Sequence, residues 1–238
     1  MKYTHYSYKH NLKSPKEIAP FVYDLIKPQS VIDVGCGLGS FLKAFKQMGV
    51  KKVMGIDGKW CNKELLFENI TANEFLEKDL EKPINIGKKF DLAISTEVAE
   101  HLTVERANSF VDDLTNLSDI VLFSAAIPNQ GGDHHYNEQW IDYWESKFSR
   151  HNFVMYDVLR PQFWNNDQIF WWYRQNMVLF IKQDKNVQGL DSLSSGNMKR
   201  VVHPQLYSTV MDYKDRNAIK RYLKLLFKAL TYRFGLRN

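Results

Sequence analysis

Three closely spaced glycines form the first group of residues whose types and spacing suggest chemistry. Gly35, Gly37 and Gly39 stand between a run of β-branched residues and a helical pattern over 40–49. Glycines after the first strand of an α/β sheet let the backbone approach a ligand closely. The spacing lacks the G-x-G-x-x-G pattern that seats a dinucleotide pyrophosphate, and no Gly-Lys-Ser/Thr follows to hold a nucleoside triphosphate. The glycines therefore predict a ligand-binding loop, with a nicotinamide-binding or purely structural turn as alternatives.

Three aspartates narrow the choice of ligand. Asp57 ends the second predicted strand, where a carboxylate accepts hydrogen bonds from both hydroxyls of a ribose. Asp79 follows the third predicted strand, where it meets an adenine amino group. Asp33 lies inside the first strand and is suited to hold the loop amides or a ligand ammonium group. As a set they predict an adenosine with a compact, phosphate-free, zwitterionic substituent, whereas separately Asp57 and Asp79 would be solvated loop acids.

These residues need a parallel sheet to bring them together, and the hydrophobic pattern predicts one. The predicted strands are 30–35, 51–57, 74–80, 90–96, 119–126, 153–159 and 176–182. Helices are predicted over 40–49, 106–117 and 139–151, and from Ser14, a cap followed by Pro15 and Glu17, to a point before Pro28. No helical pattern separates the last two strands, so we expect them to pair antiparallel at one edge. The fold class is α/β: a Rossmann-like, doubly wound, mostly parallel seven-stranded sheet.

Composition sets the domain organisation and the cellular context. We predict one domain over 1–184, a polar Gly/Ser-rich linker over 185–213 and a basic tail over 214–238. No apolar run reaches eighteen residues and the N-terminus has no apolar signal core, so we expect a cytoplasmic protein. The two cysteines, Cys36 and Cys61, provide neither a disulfide framework nor a four-ligand zinc site, and we expect both reduced.

The glycine and acid segments resemble the class I S-adenosylmethionine-dependent methyltransferases. The resemblance covers about residues 28–182 and rests on "VIDVGCGLG", "GID", "EKDLEKP" and "FDLAISTEVAEHL". It implies that S-adenosylmethionine is the cofactor and S-adenosylhomocysteine the product. It also implies that the glycine loop receives the methionine part, Asp57 the ribose, and Asp79 with Leu80 the adenine. The predicted cofactor contacts further include Asp33, Cys36, Gly58, Thr96 and Glu97.

A narrower resemblance is to bacterial methyltransferases associated with surface-polysaccharide synthesis. It rests on "GGDHHYNEQWIDYW" (131–144), "WWYRQN" (171–176) and "VVHP" (201–204), and it implies O-methylation of a sugar or sugar derivative. A sugar hydroxyl is a weak nucleophile and needs a base that removes its proton. His135 aligns with the histidine of that family and is our first candidate for this base. His134 and His101 are reserves, and Glu138 or Glu100 is the candidate acid that orients the base.

Aromatic and amide side chains near the last two strands are candidates for acceptor contacts. Trp164, Trp171, Trp172 and Tyr173 suit sugar faces, although covering the core is the plainer interpretation. Asn137, Gln139 and Arg174 are candidate contacts to hydroxyl or phosphate groups. The histidines and glutamates of 97–101 and 134–138 lack a diagnostic ligand spacing, so the sequence assigns no metal.

The C-terminal segment has the pattern of a basic amphipathic helix. Residues 214–238 contain eight Lys or Arg and one Asp, and the apolar residues of 218–234 recur at steps of three and four. One interpretation is an interfacial helix on anionic lipid at the inner membrane surface, which suits a lipid-linked sugar acceptor. The other interpretations are packing on the same domain, homodimerisation, or RNA binding.

Other functions remain open at this point. "EVAEH" (97–101) also permits methylation of another small acceptor, such as a lipid or quinone precursor. A noncatalytic cofactor-binding module is a third candidate. Methylation of a nucleic-acid base is disfavoured, because "STEV" (95–98) stands where such enzymes carry Asn/Asp-Pro-Pro followed by an aromatic residue.

Overall fold

The computed structural model describes residues 11–193, 199–212 and 218–233. The strands are β1 (Ser30–Val34), β2 (Lys52–Asp57), β3 (Phe75–Glu77), β4 (Leu92–Thr96), β5 (Ile120–Ser124), β6 (Phe153–Tyr156) and β7 (Val178–Lys182). The α-helices are α1 (Lys13–Ile26), α2 (Ser40–Gln47), α3 (Lys63–Leu66), α4 (Ala107–Leu117), α5 (Ile141–Phe148), α6 (Leu159–Phe163), α7 (Trp171–Asn176), α8 (Leu190–Leu193), α9 (Pro204–Met211) and α10 (Ala218–Arg233). Short 3₁₀ turns cover Ala72–Glu74, Ala99–His101 and Ser149–His151.

The strands form one sheet in the order β3-β2-β1-β4-β5-β7-β6. All neighbouring pairs are parallel except those of β7, which runs antiparallel to both β5 and β6. The predicted Rossmann-like sheet, with an antiparallel pair at one edge, is therefore confirmed, and β7 is inserted between β5 and the outermost strand β6. The prediction that no helix separates the last two strands was wrong, because α6 and α7 lie between them.

The core lies on both faces of the sheet, because the buried strands alternate their side chains. Val31 of β1 packs in the cluster that includes residues of α1 and α2, whereas Ile32 packs in the cluster that includes residues of α4 and α5. The sheet is thus covered on both sides, and its strand ends are left to form a site. The carboxyl ends of β1, β2 and β4 lie next to one another at one edge.

The start of α1 differs from the prediction. The helix begins at Lys13 without a side-chain cap, and the Ser14 hydroxyl instead accepts a hydrogen bond from the Phe170 amide at 2.9 Å. The Glu17 carboxylate accepts one from Asn166 at 3.0 Å rather than reaching back to the cap. Residues distant in the sequence therefore hydrogen-bond to both the Ser14 hydroxyl and the Glu17 carboxylate. These bonds attach α1 to the segment that leads into α7.

The described chain divides into two compact units, 1–201 and 202–238. The predicted linker, 185–213, contains α8 and α9. In the second unit, α10 is joined to the end of α9 by Arg221, which donates to the Asp212 carbonyl at 2.8 Å. Among the described residues, no helix has the length and apolar character needed to cross a membrane. Residues 213–217 and 234–238 of the predicted tail lie outside the described residues.

Candidate active site

A cavity of about 900 Å³ opens at the carboxyl ends of β1, β2, β3 and β4. Small-molecule sites run from about 300 to 1,000 Å³, so this cavity has room for a cofactor and an acceptor together. Eight of the eleven predicted cofactor-binding residues line it: Asp33, Gly35, Cys36, Asp57, Asp79, Leu80, Thr96 and Glu97. Gly37, Gly39 and Gly58 do not line it and instead support the residues that do.

Asp57 connects the end of β2 to the glycine loop. Its two carboxylate oxygens accept hydrogen bonds from the Gly37 amide at 2.7 Å and the Gly58 amide at 2.6 Å, and the Trp60 side chain adds another. Burial nevertheless raises the pKa of Asp57 to about 6, because desolvation of the charge outweighs these bonds. The loop and the acid therefore hold each other in place, with the acid facing the cavity.

The glycine loop is shaped by backbone conformations that side chains rarely adopt. Gly35 has φ +83°, and a Cβ built on it would lie 2.3 Å from a methyl group of Val98. The loop therefore needs glycine both for its backbone angle and for its packing against the segment after β4.

Asp33 and Cys36 are buried groups at the same end of the cavity. Burial, with a smaller contribution from Asp57, raises the pKa of Asp33 well above its ordinary value. A ligand ammonium group beside Asp33 would offset that unfavourable burial, which suits the methionine part of the predicted cofactor. Burial also raises the pKa of the Cys36 thiol, so this cysteine is a packing residue rather than a nucleophile.

The segment after β3 carries the predicted adenine contacts. Asp79 is exposed at the cavity rim, and its carboxylate accepts the Glu81 amide at 3.2 Å. Leu80 is buried, and its carbonyl accepts a hydrogen bond from Arg106 at 2.9 Å. Because Arg106 is itself paired with Asp113, α4 holds this segment in position.

Glu97 follows β4 with an unusual backbone angle, φ +55°, and lines the cavity. Its carboxylate accepts hydrogen bonds from Gln130 at 2.9 Å and Asn176 at 3.1 Å. Burial raises its pKa although these bonds oppose the shift. Thr96, the preceding residue, bonds to the side chain of Tyr173. Neither Gln130 nor Asn176 was predicted as a site residue from the sequence, although Asn176 belongs to the "WWYRQN" segment (171–176).

The predicted catalytic histidines line the same cavity. His135 Nδ1 lies 3.0 Å from the carboxylate of Glu138, which also accepts the amides of Gly131 and Asn129 at 2.8 Å. Burial acts against ionisation of Glu138, but these hydrogen bonds hold its pKa below the ordinary value. An ionised Glu138 accepts only, so His135 Nδ1 is the donor, and Nε2 of the neutral ring carries the free electron pair.

Gly132 keeps the space beside His135 open. A Cβ at Gly132 would stand 2.3 Å from Nε2 of His135, whereas a Cβ at Gly131 would meet no described residue within 4 Å. The two reserve candidates for the base, His134 and His101, contact each other. His134 is exposed, and its carbonyl oxygen lies 3.2 Å from Nδ1 of His101. Glu138 does not line the cavity, and it contacts this site through its hydrogen bond with Nδ1 of His135.

The predicted acceptor contacts divide into two groups. Trp171, Trp172 and Tyr173 of α7 line the cavity, but Trp164 does not. The polar candidates Asn137, Gln139 and Arg174 also lie away from it. Gln139 donates to Asn137 at 3.0 Å, and Arg174 donates to the Trp164 carbonyl at 3.2 Å, so these groups stabilise loops.

Known proteins resemble this chain in sequence and in fold. Residues 3–175 match a protein family described as a methyltransferase domain. The chain belongs to this family of methyltransferase domains. Its cofactor is S-adenosylmethionine, as the sequence predicted, and the buried acids at the glycine loop fit that cation.

Individual relatives of the methyltransferase domain are distant. The mitochondrial ubiquinone biosynthesis O-methyltransferase of Dictyostelium discoideum is 33% identical over a stretch that covers 37% of this chain and 31% of that protein's length. DesVI of Streptomyces venezuelae has a TM-score of 0.55 at 12% identity, over 72% of this chain and 91% of DesVI. The methyltransferase domain of the bacterial CtHen1 has a TM-score of 0.52 at 16% identity, over 71% of this chain and 98% of that domain. The two solved structures share the fold.

Proposed function

We propose that this chain transfers the methyl group of S-adenosylmethionine to a hydroxyl group of a sugar or sugar derivative in surface-glycan synthesis. The observation that carries the proposal is that His135, whose Nδ1 pairs with Glu138, lines the same cavity as Asp33 and Asp57. A group that can activate a hydroxyl and a site for the cofactor therefore share one cavity.

In this proposal one set of cavity residues binds the cofactor and another set binds and activates the acceptor. When bound, the cofactor supplies an electrophilic methyl group on a positively charged sulfur. Asp33 pairs with its ammonium group, Asp57 accepts from its ribose hydroxyls, and Asp79 with Leu80 holds its adenine. His135 activates the acceptor hydroxyl, with Glu138 fixing the ring so that Nε2 faces the reacting oxygen. Trp171 and Trp172 provide apolar faces against which a sugar ring packs.

A second acceptor class is favoured by one comparison. The relative from Dictyostelium discoideum is named as a ubiquinone biosynthesis O-methyltransferase, so a quinone or lipid precursor with a ring hydroxyl is the alternative substrate. Both acceptors present a hydroxyl group, and the same His135–Glu138 pair serves either one.

The charge of α10 supports a membrane-facing role in which the acceptor is lipid-linked. Its apolar residues Leu223, Leu226 and Phe227 are exposed. The helix contains five basic residues and no acidic one, so two copies would repel each other while an anionic lipid surface would attract them. We therefore propose peripheral contact of this helix with anionic membranes rather than homodimerisation.

The decisive experiment measures binding and turnover separately. The purified protein is titrated with S-adenosylmethionine by calorimetry, alongside Asp57→Ala. Release of S-adenosylhomocysteine is then followed with sugar nucleotides, lipid-linked sugars and hydroxylated quinone precursors. We expect micromolar cofactor binding that Asp57→Ala abolishes, and turnover with a sugar acceptor.

His135→Ala separates catalysis from binding. We expect turnover to fall by about 10²- to 10⁴-fold while cofactor affinity stays unchanged. Unchanged turnover would refute the role of His135. Cofactor binding without turnover on any acceptor would instead favour a noncatalytic module.

A further inference from the structure

Glu100 is a fully buried acid whose carboxylate oxygens have no hydrogen-bond partner among the residues that the structure describes. It lies in the 3₁₀ turn after β4 and lines the cavity, yet its side chain is 0% exposed. Neither carboxylate oxygen makes a hydrogen bond of ordinary geometry, although the amides of Ala126 and of Glu100 itself lie nearby. Buried carboxyl groups are normally hydrogen-bonded, paired with a cation or bound to a metal. A hydrogen-bond donor, a cation or a metal ion is therefore expected to pair with the Glu100 carboxylate.

Two histidines face this acid. One ligand atom from each of Glu100, His101 and His135 lies within 4.8 Å of the others. The two imidazole rings meet edge to face, with their centroids 4.8 Å apart. The three side chains therefore converge on one point inside the cavity.

Backbone hydrogen bonds hold the segments that carry these three side chains next to each other. The carbonyl of Glu100 accepts hydrogen bonds from the Tyr136 amide at 2.8 Å and the Asn137 amide at 3.0 Å. These two bonds dock the loop that carries His135 onto the turn that carries Glu100 and His101. The cluster therefore rests on regular backbone contacts between segments more than thirty residues apart.

The second nitrogen of each histidine is already oriented. Nδ1 of His101 lies 3.2 Å from the His134 carbonyl, which can only accept, and Nδ1 of His135 donates to Glu138. Both rings in their neutral form then carry the electron pair on Nε2. Histidines that bind metals commonly donate their other N–H to a carbonyl or a carboxylate in this way.

We propose that Glu100, His101 and His135 bind a divalent first-row transition-metal cation within the active-site cavity. Two imidazoles and one carboxylate suit Mn²⁺ or Fe²⁺ better than calcium, which prefers oxygen ligands alone. Such cations bond nitrogen and oxygen at about 2.0–2.2 Å, so the three ligand atoms would move together by small side-chain rotations. The acidic side chains of Glu97 and Glu138 lie around the cluster and help to balance the charge.

The proposal rests on the proposed function for its chemical role. Three protein ligands leave positions open, and an acceptor oxygen fills one of them. A hydroxyl bound to the cation has a lower pKa and releases its proton to solvent. Its oxygen then bonds to the methyl carbon, while the bond between that carbon and sulfur breaks and its electron pair returns to sulfur. His135 thus activates the hydroxyl as a ligand of the cation rather than as the base itself.

The test is a titration of the full-length, EDTA-treated protein with MnCl₂, followed by calorimetry and by loss of the free Mn²⁺ electron paramagnetic resonance signal. We expect one Mn²⁺ per chain in the wild type. Glu100→Gln and His135→Ala should each weaken binding at least tenfold. His134→Ala keeps the backbone carbonyl that orients His101 and should bind Mn²⁺ as the wild type does. Cofactor titration of each variant verifies that it is folded.

The outcomes separate this site from the proposed function. Absence of saturable Mn²⁺ binding by the wild type, or equal binding by Glu100→Gln, would overturn the metal site. If methyl transfer also continued unchanged in EDTA, the proposed function would stand and His135 would be an unassisted base. Saturable binding that depends on Glu100 and His135, with no transfer to any hydroxyl acceptor, would support the metal site and refute the proposed function.

Discussion

Asp57 Oδ2 accepts the Gly37 amide at 2.7 Å, and this bond joins the end of β2 to the loop after β1. The same carboxylate faces the cavity, so one side chain both shapes the glycine loop and presents charge to the cofactor. Its ionisation state therefore affects the cofactor site.

The pKa of Asp57 predicts how cofactor binding depends on pH. Because burial raises this pKa to about 6, the fraction of ionised Asp57 rises about tenfold between pH 5 and pH 7. We expect the affinity for S-adenosylmethionine to rise by about the same factor, since the ionised carboxylate accepts the ribose hydroxyls. Calorimetry at the two pH values measures this. Asp57→Asn should bind more weakly and show a flatter profile, and a wild-type affinity that does not change with pH would contradict the prediction.

Gly35→Ala tests the packing of the glycine loop. The substitution strains a residue with φ +83° and places a methyl group 2.3 Å from Val98. We expect the free energy of unfolding to fall by about 2–5 kcal/mol, the sum of backbone strain and overpacking. Urea denaturation measures the change.

Gly49→Ala is the matched control for this substitution. Gly49 also has a positive φ, +97°, but a Cβ there meets no atom within 4 Å in the described part of the chain. Only the backbone strain of about 1–2 kcal/mol should remain. Equal losses in the two variants would show that contact with Val98 contributes nothing.

Gly132→Ala tests access to His135. The new methyl group would occupy the space beside Nε2, so we expect turnover to fall at least tenfold. Gly131→Ala is the neighbouring control, because its Cβ enters open space and its amide still donates to Glu138. Release of S-adenosylhomocysteine provides the rates. Similar rates for the two variants would mean that the space beside Nε2 of His135 is not needed for turnover.

Leu226→Glu tests the proposed membrane contact of α10. Leu226 is exposed on the apolar face of the helix, and a charge there opposes burial in lipid. We expect co-sedimentation with vesicles that contain phosphatidylserine to fall at least fivefold, and wild-type binding to weaken as salt rises. Deletion of 214–238 should abolish binding. Vesicles of phosphatidylcholine alone are the control, and equal binding to both vesicle types would remove the electrostatic part of the proposal.

Local sequence patterns predicted the sheet and many of the residues that line the cavity at the carboxyl ends of its strands. Gly35, Asp33 and Asp57 belong to contiguous strand-and-loop segments, and parallel strands bring their carboxyl ends to one edge. The capping prediction at Ser14 was wrong for a different reason. A helix-start pattern considers only the backbone amides near Ser14 as donors to its hydroxyl. In the folded chain the amide of Phe170, which is distant in the sequence, donates to that hydroxyl instead.

The sequence by itself therefore determined the fold class and the cofactor, whereas the role of His135 as the base stays a prediction. Only the tertiary structure decided which polar side chains meet. The Gln130 and Asn176 contacts to Glu97, and the convergence of Glu100, His101 and His135, join segments far apart in the chain. Ligand spacing in the sequence reveals sites whose members are neighbours on one element. The cluster of Glu100, His101 and His135 has no such spacing, because its residues lie in segments that follow different strands. Two backbone amides that donate to the Glu100 carbonyl bring these segments together.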